Sequence, residues 1–220
     1  MQDLTHRVDD QTQTYPGDPD VEIEPDSVYS EDGYRVSRLS LGSHTGTHVD
    51  APSHTEPDGD SLGSYGVESF VFESLRVDCR DLGSRESIGL ERLPDLSADT
   101  SVDCLVFWTG WDRHWNTDRY LDHPYLSREA AEYCAEHGVA VGTDTLSPDP
   151  TPSEESHDTN TSFDAHSALL GEGCLIFENL TNLGKLPERF ELRAYPLRLD
   201  TDASPVRAVG VRLSKTDGTV

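Results

Sequence analysis

The stretch HTGTHVDAPSH, residues 44–54, is the most informative part of this 220-residue sequence. It holds three of the nine histidines of the chain, His44, His48 and His54, with Asp50 between the second and the third. Imidazole nitrogens and carboxylate oxygens are the ligands that zinc and similar divalent metals prefer. The stretch therefore predicts a metal site.

The spacing within this stretch predicts a sharp turn. Its threonines, glycine and proline disfavour a helix, and a straight strand would separate His44 from His48 by about 13 Å. Both can reach one ion only if the chain folds back near Gly46, because glycine adopts positive φ at little cost. Asp50 follows His48 by two residues, so both side chains of a strand point to one side. His54 is displaced from them and suits a separate role.

The rest of the chain reads as one strand-rich α/β domain covering residues 1–220. Serine at 127 and glycine at 138 bound an alanine- and glutamate-rich stretch that predicts a helix over 127–137. A second, short helix is expected over 163–170. Alternating or continuous apolar runs predict strands at 36–41, 69–79, 102–109, 139–143 and 174–178, and near 190–199 and 205–213.

Composition restricts the partners and the compartment. The chain has 17 Lys and Arg against 42 Asp and Glu, a net charge of -25, so phosphate backbones and anionic lipid repel it and nucleic-acid or membrane roles are not expected. No stretch reaches the roughly 18 apolar residues of a membrane span, and no signal-peptide pattern is visible. Four widely spaced cysteines indicate free thiols in a reducing cytoplasm.

Several motifs resemble those of one family. The pattern His44-x-Gly46-Thr47-His48-x-Asp50-x-Pro52-x-His54 is similar to the signature of the metal-dependent cyclase family, which includes the bacterial-type kynurenine formamidases. YPGDP at 15–19, GTDTLSPDP at 142–150, and His166 followed twelve residues later by Glu178 match further family segments in order. The resemblance implies a swivelling β/β/α fold with a mixed sheet or barrel-like core, and a homodimer or homotetramer.

The same resemblance implies a site with two divalent ions, zinc or manganese. His44, His48 and Asp50 would hold the first ion and His166 the second. Asp50 and Glu178 would bridge both ions, and His54 would act as the general acid and base. The substrate would be a small molecule contacted by Tyr15, Asp144 and Ser147.

The reaction implied by the family is hydrolysis of an amide or formamide, with N-formylkynurenine giving kynurenine and formate in tryptophan catabolism. A hydroxide bridging two metal ions would attack the carbonyl, and the histidine would move the proton. One alternative is a hydrolase or cyclase acting on another cyclic amide or lactone at the same site. Another is a metal-binding protein without catalytic activity, in which the coordination sphere would be closed.

The two downstream ligands also have simpler interpretations. His166 lies among alanines and leucines and could be a hydrogen-bonded core residue. Glu178 ends an apolar run, where a carboxylate either needs a compensating cation or reaches solvent. His157, in a polar acidic segment, is a rival ligand that we expect to be solvated.

The high acidity predicts a host that accumulates salt. Self-repulsion among the acidic side chains is screened at about 1 M salt, where the Debye length is roughly 3 Å. We therefore expect the thermal unfolding midpoint, followed by circular dichroism, to rise steadily as potassium chloride is raised toward that concentration. Full stability in salt-free buffer would contradict a halophilic origin.

Overall fold

The apolar runs of the sequence form the strands of one large sheet and two small ones. The computed structural model describes residues 1–98, 101–152 and 163–213, and these contain twelve strands and three α-helices. The strands are β1 (Gln2–Asp3), β2 (Glu22–Ser27), β3 (Val36–Ser40), β4 (His48–Asp50), β5 (Val71–Asp78), β6 (Ser87–Ile88), β7 (Cys104–Trp108), β8 (Tyr125–Leu126), β9 (Ala140–Thr143), β10 (Ile176–Glu178), β11 (Arg189–Pro196) and β12 (Ala203–Val211). The helices are α1 (Tyr29–Asp32), α2 (Arg128–Glu136) and α3 (Asp164–Gly171).

The main sheet closes on itself through β4. Its strand order is β1-β12-β11-β5-β7-β9-β10-β4, and β4 also pairs with β12. Val49 in the middle of β4 lies opposite Phe177 of β10 on one edge and opposite Ser204 of β12 on the other, both antiparallel. Parallel pairing joins β5 to β7, β7 to β9 and β9 to β10. The result is the single, strand-rich domain with a mixed, barrel-like sheet that the sequence predicts.

Two apolar layers cover the two faces of this sheet. In β7 every residue from Cys104 to Phe107 is buried, as expected for a parallel strand covered on both sides. Leu105 and Phe107 belong to the layer that packs against α2 and α3, whereas Cys104 and Val106 belong to the layer enclosed by the strands. The alternation follows from the two-residue period of a strand.

The two longer helices begin and end where the sequence indicates. The Ser127 hydroxyl accepts a hydrogen bond from the Ala130 N–H at 3.2 Å at the start of α2, and Gly138, with φ of +65°, follows its last turn. The carboxylate of Asp149 caps α3, since it accepts from the Ala165 and His166 N–H groups at 2.8 and 3.0 Å. None of the helices in the described ranges has the length and apolarity needed to cross a bilayer.

The sequence-based element prediction differs from the structure mainly around β2 and β5. β2 was not predicted, because its acidic and proline residues lack an apolar pattern; it pairs with β3 in an exposed hairpin. The strand predicted over 69–79 begins only at Val71, after the 3₁₀ turn Val67–Phe70. Residues 144–149, which follow β9 and belong to no helix or strand, are all buried.

The thiols of all four cysteines are free and buried, as the sequence predicts. Burial raises the pKa of Cys79 and of Cys134 to about 12 and that of Cys174 to about 11, and it also raises the pKa of Cys104. Because the thiolate is the nucleophile, we expect almost no reaction with Ellman's reagent in the folded protein and four reactive thiols in guanidinium chloride. Rapid stoichiometric labelling of the folded protein would contradict this arrangement.

Candidate metal centre

The register between β4 and β10 brings the first ligands together. His48 lies directly opposite Glu178, and Asp50 lies two residues further along β4 on the same face. The Nε2 atom of His48 is 3.1 Å from Oε2 of Glu178 and 3.2 Å from Oδ1 of Asp50. All three side chains are buried. Two strands that are distant in sequence therefore present an imidazole and two carboxylates to one point.

The turn predicted at Gly46 brings His44 to the same point. Gly46 has φ of +63°, in the left-handed region that favours glycine. Its carbonyl oxygen accepts a hydrogen bond from the Asn179 side-chain amide at 3.0 Å, and the Thr47 hydroxyl donates to the Asn179 carbonyl oxygen at 2.6 Å. The Nδ1 atom of His44 consequently lies 2.9 Å from Oδ1 of Asp50 and 3.2 Å from Nε2 of His48.

His166 completes the arrangement from α3. Its Nε2 atom lies 3.4 Å from Oε1 of Glu178 and 3.8 Å from Oδ2 of Asp50. Each carboxylate thus divides its two oxygens between the histidines. Asp50 presents Oδ1 to His44 and His48 and Oδ2 to His166, while Glu178 presents Oε2 to His48 and Oε1 to His166. We call these five residues the ligand cluster.

The ligand cluster fits a divalent metal. Both oxygens of Asp50 and Oε1 of Glu178 are buried and receive no well-aligned hydrogen bond from any described residue, although imidazole nitrogens lie close by. Donor atoms of His44, His48 and Asp50 lie within 4.8 Å of one another, and so do those of Asp50, His166 and Glu178. Buried carboxylate oxygens without donors require a cation.

The electrostatics of the ligand cluster lead to the same conclusion. Burial alone would raise the pKa of Asp50, but His48 and His44 outweigh it and hold that pKa well below its usual range. Burial alone would lower the pKa values of His48 and His166, yet the adjacent carboxylates raise both well above the usual range. These shifts favour protonated imidazoles as the partners of the carboxylates in the protein alone. A divalent cation would supply the same charge with neutral imidazoles as ligands.

Each histidine of the ligand cluster has an acceptor on its other ring nitrogen. Nε2 of His44 lies 3.0 Å from Oδ2 of Asp202, and Nδ1 of His166 lies 2.7 Å from Oδ2 of Asp149. Nδ1 of His48 lies 2.7 Å from the carbonyl oxygen of Gly46. Such acceptors orient the ring and set the tautomer of a metal-ligating histidine.

His54 lies at the rim of the ligand cluster. It ends the 3₁₀ turn Pro52–His54, and its side chain is 30% exposed. Its ring centroid is 4.1 Å from that of His44 and 5.5 Å from that of His166. Burial lowers the pKa of His54 below its usual value. This position next to the cluster, but turned toward solvent, agrees with the separate role that its spacing suggests.

A cavity opens onto the ligand cluster, and two of the predicted substrate-contacting residues, Tyr15 and Ser147, line it. Phe163 and Leu146 add apolar surface, and the rings of Tyr15 and Phe163 are 6.5 Å apart. The hydroxyl of Tyr15 is buried without a hydrogen-bond partner in the described part of the chain. The cavity therefore combines aromatic walls with a floor of imidazoles and carboxylates.

Asp144, which the sequence predicts to contact substrate, does not line this cavity. Its carboxylate is buried and accepts hydrogen bonds from the Thr109 N–H and hydroxyl at 2.9 and 2.6 Å and from the Gly110 N–H at 2.7 Å. Burial raises the pKa of Asp144 to about 7. Its place in a family-like motif did not reveal that it turns away from the cavity. His157, the rival ligand, lies outside the described residues.

Asn179 and Asp202 are two of the site residues that were not predicted from sequence. Asn179 connects the strand end of Glu178 to the turn at Gly46, and Asp202 contacts His44 and also lies 3.4 Å from Nδ1 of His54. Asp202 is one of 42 acidic residues, and the sequence around it does not mark it as part of a site. Only the pairing of β4 with β12 brings it to the site.

The ligand cluster is a candidate metal site, and relatives named for a hydrolysis reaction identify the chain as an enzyme of the hydrolase class. The chain belongs to the cyclase family, since the Cyclase family model matches residues 2–150. It is 31% identical over 211 residues to a kynurenine formamidase of Bacillus cereus, covering 94% of this chain and 95% of the relative. It is 35% identical over 177 residues to a kynurenine formamidase of Erythrobacter litoralis, covering 79% and 76% of the two chains.

The fold is also found in a solved structure of isatin hydrolase A from Labrenzia aggregata bound to benzyl benzoate. The TM-score is 0.82 at 24% sequence identity, and the match covers 96% of this chain and 93% of the other. This likeness confirms the α/β fold class expected from the sequence.

We expect Asp50→Asn to lose most of its bound metal, because the change keeps the shape of the side chain and removes the charge that both groups of donors share. Metal affinity should fall by well over the roughly 10–100-fold typical of an outer-shell change. The measurement is metal content by plasma mass spectrometry after zinc loading and dialysis. Asp78→Asn, which alters an exposed pair with Arg80, is the control and should keep wild-type content. Wild-type metal content in Asp50→Asn would contradict the assignment.

Proposed function

We propose that this enzyme hydrolyses a formamide on an aromatic amine, with N-formylkynurenine as the substrate and kynurenine and formate as products. The observation that carries the proposal is a ligand cluster of imidazoles and carboxylates at the floor of an aromatic-walled cavity. The 31% sequence identity to a kynurenine formamidase, in an alignment that covers 94% of this chain, supports the choice of substrate.

We propose that the ligand cluster holds two divalent ions, with zinc as the first candidate and manganese as the second. The support is the division of oxygens described above: Asp50 and Glu178 each present one oxygen to His48 and the other to His166. Two donor groups that share Asp50 are the arrangement expected of a carboxylate-bridged pair. Divalent ions in such a site polarise a carbonyl group and lower the pKa of water.

His54 is the proton carrier in this proposal. It lies beside His44 and His166 without belonging to the ligand cluster, and it reaches the cavity from the rim. There it can accept the proton of the attacking water and return it to the leaving nitrogen, so that the amine departs neutral. General acid–base assistance of this kind contributes about 10²–10⁴-fold in rate.

The cavity walls suit an aryl group. Tyr15 and Phe163 present rings at 6.5 Å, and Leu146 adds a buried aliphatic contact. Aromatic rings at such separations stack on, or pack edge to face with, another aromatic ring. An aryl amine held there would place its formyl group toward the ligand cluster.

The decisive assay is hydrolysis of N-formylkynurenine by protein that has been stripped with a chelator and reloaded with zinc or manganese. Release of kynurenine, followed by its near-ultraviolet absorbance, should require the added metal. Isatin, a cyclic amide, and a simple lactone are the comparison substrates. Metal-dependent opening of either ring without formamide hydrolysis would replace the proposed substrate, and binding of metal without any turnover would indicate a non-catalytic role.

We expect His54→Ala to keep its metal and to lose about 10²–10⁴-fold in kcat, the contribution of a general acid and base. Metal content and the circular dichroism spectrum should match those of the wild type. His137→Ala, which removes an exposed imidazole beyond the end of α2, is the matched control and should keep full activity. A wild-type kcat in His54→Ala would remove this residue from the mechanism.

A further inference from the structure

One carboxylate connects the rim histidine to a metal ligand. Oδ2 of Asp202 lies 3.0 Å from Nε2 of His44 and 3.4 Å from Nδ1 of His54. The two imidazoles are themselves in contact, with ring centroids 4.1 Å apart. The same carboxylate oxygen is therefore hydrogen-bonded to Nε2 of His44 and lies within ion-pair distance of Nδ1 of His54.

The backbone fixes Asp202 in this place. The Asp202 carbonyl oxygen accepts a hydrogen bond from the Ala51 N–H at 2.8 Å, and the next residue, Ala203, pairs with Asp50 in the sheet. The side chain of Asp202 is 38% exposed, so its carboxylate stays ionised without a large desolvation cost. The pairing of β4 with β12 thus places the Asp202 carboxylate at the outer side of the site.

We propose that Asp202 is a positioning residue that sets the orientation and tautomer of His54, an inference that rests on the proposed function. A carboxylate oxygen accepts but does not donate, so a nitrogen facing it carries the proton. His54 is then protonated at Nδ1, and its Nε2 is left free for proton transfer in the cavity. His44 is protonated at Nε2, which leaves its Nδ1, the atom beside Asp50, as the ligand.

The same three residues have a competing use. Donor atoms of His44, His54 and Asp202 lie within 4.8 Å of one another, close enough for an ion of their own. An ion there would remove the proton from Nδ1 of His54 and keep this histidine from accepting a proton elsewhere. The two arrangements differ in one observable, the protonation of Nδ1.

The first test is the tautomer of His54 in zinc-loaded protein labelled with ¹⁵N-histidine. Long-range ¹H–¹⁵N spectra distinguish the two ring nitrogens, and His54→Gln identifies the signal. We expect a protonated Nδ1 in the wild type and a shift toward the Nε2-protonated form in Asp202→Ala. The control is Asp200→Ala, which removes a neighbouring carboxylate that is hydrogen-bonded to Ser61, and it should leave the signal unchanged. A wild-type His54 with Nε2 protonated, or with Nδ1 bound to zinc, would overturn the proposal.

The second test is kinetic and is made at saturating zinc. We expect Asp202→Ala to lower kcat about 10–100-fold, the usual cost of an outer-shell change, with KM within about twofold. Asp202→Asn should recover part of the loss, because its amide oxygen still accepts. In the His54→Ala background, Asp202→Ala should have almost no further effect, since residues that act as a unit are not additive.

Two outcomes separate the inference from the proposed function. An equal loss from Asp202→Ala with and without His54 would show that Asp202 acts through the metal or the fold, and the inference would fail. If the wild type hydrolyses no formamide, the proposed function fails, and the tautomer measurement still decides what Asp202 does.

Discussion

Two buried carboxylates on neighbouring strands are the constraint around which the rest of this structure is arranged. Asp50 and Glu178 are 0% and 6% exposed, and removing a carboxylate from water costs several kcal/mol even after the protein relaxes. Both oxygens of Asp50 and Oε1 of Glu178 lack well-aligned donors among the described residues, so positive charge is needed to offset the cost. The raised pKa values of His48 and His166 favour imidazolium as the source of that charge in the protein alone, and a divalent ion would supply it when bound. We therefore expect metal binding to stabilise the fold.

Each of the three histidines that face these carboxylates is oriented by a different hydrogen-bond acceptor. A backbone carbonyl in the turn holds His48, the carboxylate that caps α3 holds His166, and a carboxylate preceding β12 holds His44. Asp149 serves the most groups of the three acceptors, because it contacts two backbone N–H groups and one ring nitrogen together. Asp149 therefore links the position of α3 to the orientation of the His166 ring.

Local patterns were sufficient to predict most of the strands, the two longer helices, the turn at Gly46 and the convergence of His48 with Asp50. These depend on periodicity, caps and backbone freedom within a few residues. The sequence did not reveal the closure of β4 onto β12, because it depends on pairing between segments about 150 residues apart. Asp202 was missed for that reason. The position of the Asp144 side chain was not evident either: Leu146 and Ser147 nearby line the cavity, whereas Asp144 accepts hydrogen bonds from Thr109 and Gly110.

The number of protein donors argues for catalysis over a structural metal. A structural zinc site is closed by four protein ligands, whereas a catalytic site keeps a position for water or substrate. Here the two donor groups of the ligand cluster have three members each, and both include Asp50. The cavity meets the ligand cluster at His44, His48, His166 and Glu178, so this side of the cluster is open to water or to a substrate. His54 at the rim would be placed to carry the proton in the proposed hydrolysis.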